Sequence, residues 1–406
     1  MEFQMKNILN VINRKNHCCL FILMLLSSNV AEAQSKIDSV IASVLKNNKT
    51  IQADMQYWES RKLQYKTGLS PENPQVEYDY LIGSPSNAGS QTEITASQSF
   101  DFPSAYIKRK QLSNQQVSQA EQHLISKRQT VLMEAKSVCI ELVYRNKLLK
   151  ELLQRKINGE VLLKNFETKL DKGDGNILDV NKARLQMISI NNEYQENISS
   201  INQLNDQLFA LNGGLPIEFF DTVYFEIPQI PSFESLEAQY EAADPYRNIL
   251  EQEKLIAQKE VELSRALSYP KFEAGYHYQG ILGQKYNGFH TGITIPLWEN
   301  RNKVNTQKSK LLYADLELRE HKNEHYYEIK QLYEKYGNLK ISVNEYQNAF
   351  LNLNSIYLLN KSLSSGHISA IEYFMEMNYY ATALNTYLKI EREYYQTIAE
   401  LYKFML

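Results

Sequence analysis

The residues of this chain that could do chemistry are carboxylates and histidines, and the most regular of them follow glycine. The segment Gly173-Asp174-Gly175-Asn176-Ile177-Leu178-Asp179 returns as Gly366-His367-Ile368-Ser369-Ala370-Ile371-Glu372, with an acid six residues after the first glycine each time. A calcium loop is the first chemistry to test. With Gly175 at the turn position, ligand positions one, three and twelve would be Leu170, Lys172 and Asn181, so that reading fails. His277 and His290 fall on predicted strands and His321, His325 and His367 are scattered. No pair of them has zinc-ligand partners at a convincing spacing, and solvated or tunnel-lining histidines are expected, with no metal site. The chain has no GxSxG, phosphate loop or paired-cysteine motif, so neither an enzyme nor a cofactor is expected. The plainest role for Asp179 and Glu372 is a place in the first turn of a helix, where a carboxylate favours the helix dipole.

The elements that carry these residues are duplicated. The second half repeats the first at an offset of about 193 residues. Tyr194 falls on Tyr387, Gln203 on Gln396, Leu208 on Leu401 and Phe102-Pro103 on Ile295-Pro296; Asn73-Pro74 falls on Tyr269-Pro270 with a slip of three. Each half reads as helix, two short strands, a very long helix, a glycine turn and a returning helix. The organisation predicted is a removable leader over 1–33, a first repeat over 34–216, a linker over 217–231 and a second repeat over 232–406.

Ser104 to Phe166 contains one glycine, Gly159, and no proline. Such a helix would run on the order of 90 Å at ~1.5 Å per residue. Its apolar residues step by seven, with Leu124, Val131, Val138 and Leu152 on one line and Ala135, Leu142 and Leu149 on another. That is coiled-coil periodicity with a broadened seam, suited to a helix that touches two neighbours. Asn302 to Leu363 is the counterpart, interrupted only by Gly337, and the returning helices are predicted at Ile177 to Leu211 and Ala370 to Phe404.

Four segments alternate with period two: Gln75 to Leu81, Thr92 to Phe100, Lys271 to Tyr278 and Phe289 to Ile295. Joined through Gly83 to Gly89 and Gly283 to Gly288, they form two hairpins. With flanks, each is about nine to eleven residues, the length of a tilted membrane-crossing strand. Four strands cannot close a barrel, and lipid does not tolerate an open sheet edge. Three chains would supply twelve strands, an even number within the known range. The alternative is a soluble four-stranded sheet packed on one face.

Among 406 residues there are 15 Gly and 10 Pro, too few to punctuate several compact domains, so long elements are implied. A net charge of −3 gives no basic face for nucleic acid. Lys6, Arg14 and Lys15, the apolar run Cys18 to Leu26, and Ala31-Glu32-Ala33 before Gln34 form the three-part pattern of a cleaved secretory signal. Its apolar run of about nine residues falls short of the ~20 needed to span a bilayer. Cys18 and Cys19 would leave with the signal, and Cys139 is expected to be a buried small hydrophobe outside any disulfide framework.

The repeat, the two strand hairpins and the two glycine turns together resemble the TolC family of outer-membrane efflux ducts over nearly the whole chain after the signal. The residues that carry the resemblance are Gly173 with Asp179, Gly366 with Glu372, and the junctions Phe102-Pro103 and Ile295-Pro296-Leu297-Trp298-Glu299-Asn300-Arg301-Asn302. It implies a mainly α fold with a small β part: a homotrimer in outer-membrane lipid, a twelve-stranded barrel and a periplasmic tunnel of helical hairpins. The turns, with Gly173, Asp174, Gly175, Gly366, His367 and Ser369, would be the tips where a periplasmic adaptor docks. An inner-membrane pump, of the resistance-nodulation-division type, would deliver the substrate.

The family's aperture carboxylates lie six and nine residues after the second glycine; here these are Glu372 and Met375, with Glu376 adjacent. A gate would then be built from Glu372, Glu376 and Asp179. A ring of three Glu372 side chains would favour cations, and mutual repulsion would raise their pKa values. An Arg that some members carry two residues after the second glycine is Ile368 here. The Pro296-to-Asn302 segment is similar to that of the heavy-metal efflux branch, which leans the expected cargo to metal cations. The competing expectation is a periplasmic coiled-coil scaffold without a channel.

Overall fold

The computed structural model describes residues 36–351 and 355–406. The signal pattern, with Cys18 and Cys19, lies outside the described residues. Two helices open the chain, α1 (Lys36–Asn47) and α2 (Lys49–Tyr65). Strands β1 (Gln75–Ile82) and β2 (Ser90–Phe100) follow, then α3 (Pro103–Asp171), 69 residues long, and α4 (Ile177–Leu211). The second half runs α5 (Phe233–Ala243), α6 (Pro245–Ala266), β3 (Lys271–Ile281) and β4 (Gln284–Thr294). It ends with α7 (Lys303–Leu351), α8 (Ser355–Ser364) and α9 (Ala370–Leu401).

Where one helix is expected before each strand pair, there are two. The break falls on a residue that caps the second helix. Asn48 Oδ1 accepts from Ile51 N at 2.9 Å, and the Asp244 carboxylate accepts from Tyr246 N and Arg247 N at 2.9 and 3.1 Å. Pro245 at the first position of α6 reinforces the second break, since its missing N–H would be an orphan there anyway.

The two halves have parallel cores. In the first, Ile37, Val40 and Val44 of α1 pack on Val131, Leu132, Val138, Leu142 and Val143 of α3 and on Ile201 and Leu208 of α4. In the second, Leu236 and Tyr240 of α5 pack on Ile329, Tyr336 and Val343 of α7 and on Tyr394, Ile398 and Leu401 of α9. Cys139 is fully buried among the first set, and burial pushes its thiol up to about 12, which leaves it unreactive. The segment 217–231, read as a linker, has neither helix nor strand but is more than a tether. Its Phe219 and Tyr224 are buried in the first core, and the carbonyl of Pro231 accepts from the Tyr333 hydroxyl at 3.1 Å. Gly159 lies where Met187 of α4 approaches, and a Cβ there would meet the Met187 sulfur at 2.5 Å.

The strands form one antiparallel sheet in the order β1-β2-β3-β4, so the two halves join through β2 and β3. The β3–β4 connection differs from expectation. The predicted loop from Gly283 to Gly288 is a two-residue turn at Leu282-Gly283, with φ of 51° and 84°, and Gly288 pairs with His277 inside the ladder. Positive φ at both central residues is the twist that hairpin strands need, so β4 begins five residues before the predicted Phe289.

Candidate functional site

Two surfaces hold the residues singled out in the sequence: the faces of the sheet and the tips of the helical hairpins. The sheet register sorts most side chains by face near the middle of the strands, while Asn287 and Lys285 enter the apolar face toward the turn. Val76, Ala96, Tyr276 and Phe289 stand in one cross-strand row, and Tyr78, Ile94 and Tyr278 in the next. The intervening rows belong to the other face, with Glu77, Thr95 and His277 in one and Asp79, Glu93 and Gln279 in another. On that polar face His277 Nε2 lies 2.9 Å from Glu93 Oε1, and Thr95 Oγ1 lies 2.9 Å from His277 Nδ1. His290 lies near Glu273 on the same face.

No described helix packs across the apolar face. Phe289 is 93% exposed, Ile82 is 82% exposed, and every residue of β1 is exposed. Both edge strands, β1 and β4, also leave a row of backbone donors and acceptors unpaired along their outer sides. At the junction with the helices, Phe102 stacks obliquely on Tyr269 at 4.9 Å and on Phe272 at 6.3 Å, and Trp298 projects into open space. Aromatic residues where strands end, with an uncovered apolar band above, match a wall facing lipid with its interfacial girdle. No described helix is long and apolar enough to cross a membrane.

The hairpin tips are the same turn twice. Gly173 N donates to Leu170 O and Asp174 N to Lys169 O, each at 3.0 Å; Gly366 N donates to Leu363 O at 3.2 Å and His367 N to Ser362 O at 2.9 Å. Both are Schellman stops, with glycine at φ of 81° and 71°. The returning helices are then capped differently. Asn176 accepts from Leu178 N at 2.9 Å. Ser369 forms a reciprocal box with Glu372: Ser369 N donates to the carboxylate at 2.7 Å, and Glu372 N donates to Ser369 Oγ at 3.2 Å. The Ser369 backbone N–H, with the Ser369 hydroxyl, holds the Glu372 carboxyl below the usual carboxylate range within a single chain. Phe166 and Phe374 meet at 6.1 Å, and Phe166, Val180, Ala183 and Ala370 form one cluster, so the two tips lie side by side.

Asp174, Gly173, Gly366, His367 and Ser369 are exposed at these tips, as are Glu372 and Glu376 farther along α9; Asp179 and Gly175 are half-buried. Gly175 lies against the Leu170 backbone, too close for any Cβ.

His321 and His325 are not scattered: one turn apart on α7, they converge with Asp244 at the start of α6, and their ligand-capable atoms all lie within 4.8 Å of one another. The His-x3-His spacing on a helix was the legible signal. The missing third member sits some 77 residues earlier, at a helix break that the sequence reading did not predict.

No family model matches the sequence, and no curated protein matches it. Solved structures do. CusC, whose crystal structures concern folding and transmembrane channel formation, matches with a TM-score of 0.78 at 14% identity over 92% of each chain. The CmeC outer membrane channel of Campylobacter jejuni matches with a TM-score of 0.71 at 15% identity, over 91% of this chain and 85% of that one. The outer membrane protein VceC of Vibrio cholerae gives 0.73 at 13%, over 91% and 96%. CusC is described by its transmembrane channel formation, CmeC as an outer membrane channel and VceC as an outer membrane protein. The chain therefore has the fold of the TolC-like outer-membrane channels.

Proposed function

We propose that this protein is a passive exit duct of the outer membrane, built from three copies of the chain. The observation that carries it is the sheet: four strands, two open edges and one uncovered apolar face. Three such sheets joined edge to edge close a twelve-stranded barrel in which every backbone group is paired, the requirement for any sheet in lipid. The polar face then lines the lumen with Glu77, Asp79, Glu93, Glu273, His277 and His290. The helices continue the passage into the periplasm, and residues 1–33 direct export.

In this reading the exposed turns at Gly173 to Gly175 and Gly366 to Ser369 receive a periplasmic adaptor, which brings an inner-membrane pump of the resistance-nodulation-division type. The chain supplies no energy and makes no bonds. Glu372, Glu376 and Asp179 form the selective constriction at the tips. In the trimer, convergence of three Glu372 carboxylates opposes the lowering that the capping box produces. Metal cations are the cargo that this acidic constriction favours, supported by the resemblance of Pro296 to Asn302 to the heavy-metal branch.

Planar-bilayer recording of the purified protein tests the proposal. A steady, cation-preferring conductance that rises and loses preference in Glu372→Ala is expected. No conductance from a protein that fractionates with soluble periplasmic contents would replace the duct with the scaffold reading. A conducting trimer unchanged by Glu372→Ala would leave the duct and remove the gate.

A further inference from the structure

We propose that Asp244, His321 and His325 form a transition-metal site that clips the corner between α5 and α6 to the long helix α7. The site is independent of the carboxylates at the tips and holds a resident ion, separate from any cargo.

The donor geometry leads the argument. Asp244 Oδ2 lies 2.9 Å from His321 Nε2 and 3.8 Å from His325 Nε2. Four-coordinate zinc with bonds of about 2.0–2.1 Å separates its ligand atoms by roughly 3.3 Å, a value between these two distances. All three ligand atoms lie within 4.8 Å of one another, so rotation of the imidazoles toward the carboxylate would seat the ion. The carboxylate is 6% exposed and fixed as a helix cap, with Oδ1 accepting from Tyr246 N and Oδ2 from Arg247 N. Oδ2 is also hydrogen-bonded to His321 Nε2 at 2.9 Å, a contact that a bound ion would replace.

The histidines are prepared in the same way. Their rings are nearly parallel, 5.2 Å apart at 15°, and are walled by Tyr246 against His321 and Tyr240 against His325. His325 Nε2 is buried without a hydrogen-bond partner, while its Nδ1 lies 3.5 Å from Glu328 Oε2. A carboxylate on the far nitrogen is the usual outer partner of a metal-bound imidazole, holding the proton there and leaving the near nitrogen's lone pair free. A buried lone pair with nothing to accept from is costly unless a ligand occupies it.

Neighbouring cations do not oppose an ion. Arg247 is engaged by Glu251 at 2.7 Å and Glu241 at 3.5 Å, and Lys322 by Glu241 at 3.5 Å. The histidines border a cleft of about 170 Å³, which leaves room for a water in the fourth position. Two imidazoles and one carboxylate suit zinc, cobalt(II) or nickel(II) and do not suit magnesium or calcium, which want oxygen alone.

The duplication provides an internal control. At the equivalent corner of the first half the cap is Asn48, and at the offset of about 193 residues His321 and His325 correspond to Arg128 and Leu132. Asn48 spends its amide on Leu211 O at 2.7 Å, and Leu132 is buried in the core. The fold therefore does not require these three residues in order to make the corner; the second half alone carries the ligand set.

The test uses the full chain, purified in detergent without a histidine tag and stripped with chelator. Zinc titrated against a chromogenic chelator should bind at one ion per chain, and cobalt(II) should develop the visible bands of a four-coordinate site. His325→Ala should weaken zinc by at least the roughly 10- to 100-fold that loss of an outer partner alone costs. Asp244→Asn keeps a good helix cap and should also lose the cobalt spectrum, so misfolding cannot imitate the result. His277→Ala should bind zinc as the parent does. Absence of stoichiometric zinc, or binding retained in both His325→Ala and Asp244→Asn, would overturn the site. Either result would leave the duct proposal standing, because bilayer conductance is read separately.

Discussion

The two halves of this molecule share a plan and differ in what fills it. In the first, the corner before the strands is closed by an amide, Asn48, and the helices bring aliphatic residues to the core, with Val131, Leu132, Leu142 and Val143 packed on α1 and the aromatic Phe219 and Tyr224 added from segment 217–231. In the second, the same corner carries a buried carboxylate facing two histidines, and its core contains Tyr240, Tyr336, Tyr394 and Tyr402. Duplication preserved the backbone solution, down to the same hydrogen bonds at both glycine turns, while side chains at equivalent places took up different chemistry. Geometry common to both halves therefore belongs to the architecture. Chemistry present in one half is where specific function should be sought.

The corner is where that contrast breaks most sharply. Asn48→Asp should cost about 2–4 kcal/mol, because it removes the donor to Leu211 O and sets a buried carboxylate against that carbonyl. The reciprocal Asp244→Asn should cost less than about 1 kcal/mol in the metal-free protein, since asparagine caps as well as aspartate. Chemical denaturation of both variants in chelator measures the difference; equal losses would mean that the two corners are not distinct.

The two faces of the sheet form the next comparison. Phe289→Lys on the uncovered face should cost about 2–4 kcal/mol and deplete the membrane-inserted form, as a charge does at mid-bilayer on a lipid-facing strand. Gln279→Lys on the polar face should be tolerated. Quantifying each variant in the outer-membrane fraction checks this, and equal tolerance would mean that neither face meets lipid.

The tips should show a smaller asymmetry. Ser369→Ala should cost about 1 kcal/mol through loss of the capping box. The second tip should also respond to acid. Because the Glu372 carboxyl sits below its ordinary range when folded, its contribution is complete at neutral pH and fades as pH falls through that folded value. The first tip is capped by the neutral side chain of Asn176, with Asp179 in its first turn outside any capping box. Protection factors at Ala370 to Tyr373, corrected for the intrinsic pH dependence of amide exchange, should therefore fall on acidification and become insensitive to pH in Glu372→Gln. Protection lost equally in the variant would assign the effect elsewhere.

Much of this was legible in the sequence because long-range order here is written in local periodicity. The seven-residue step located α3, α4 and α9, and alternation located the strands, with Ile177–Leu211 matching to the residue. What was missed is instructive. Gly288 looked like a loop residue because glycine usually punctuates, yet the turn lies at Leu282-Gly283, where a leucine adopts positive φ. The helix breaks at Asn48 and Asp244 were missed although Asn48 lies in the polar run Lys46 to Lys49 and Asp244 with Pro245 is a helix-start signal, because the hydrophobic rhythm continues on both sides of each. That oversight concealed the third member of the Asp244, His321 and His325 cluster, since only the broken helix brings its cap to α7. Phe219 and Tyr224, within a segment read as linker, belong to the core because irregular backbone can bury aromatic side chains without any periodic signal.

The central claim is that this sheet is one third of a closed barrel. Cysteines placed singly at Val76, Tyr78 or Tyr80 on β1, each combined with one at Asn287, Phe289 or Thr291 on β4, test it in cells under oxidising conditions. Closure of β1 of one copy onto β4 of the next predicts a covalent ladder ending at three chains, for a restricted set of pairs that share one register. A protein that remains monomeric in every pair, or a ladder that continues past three, would contradict the account.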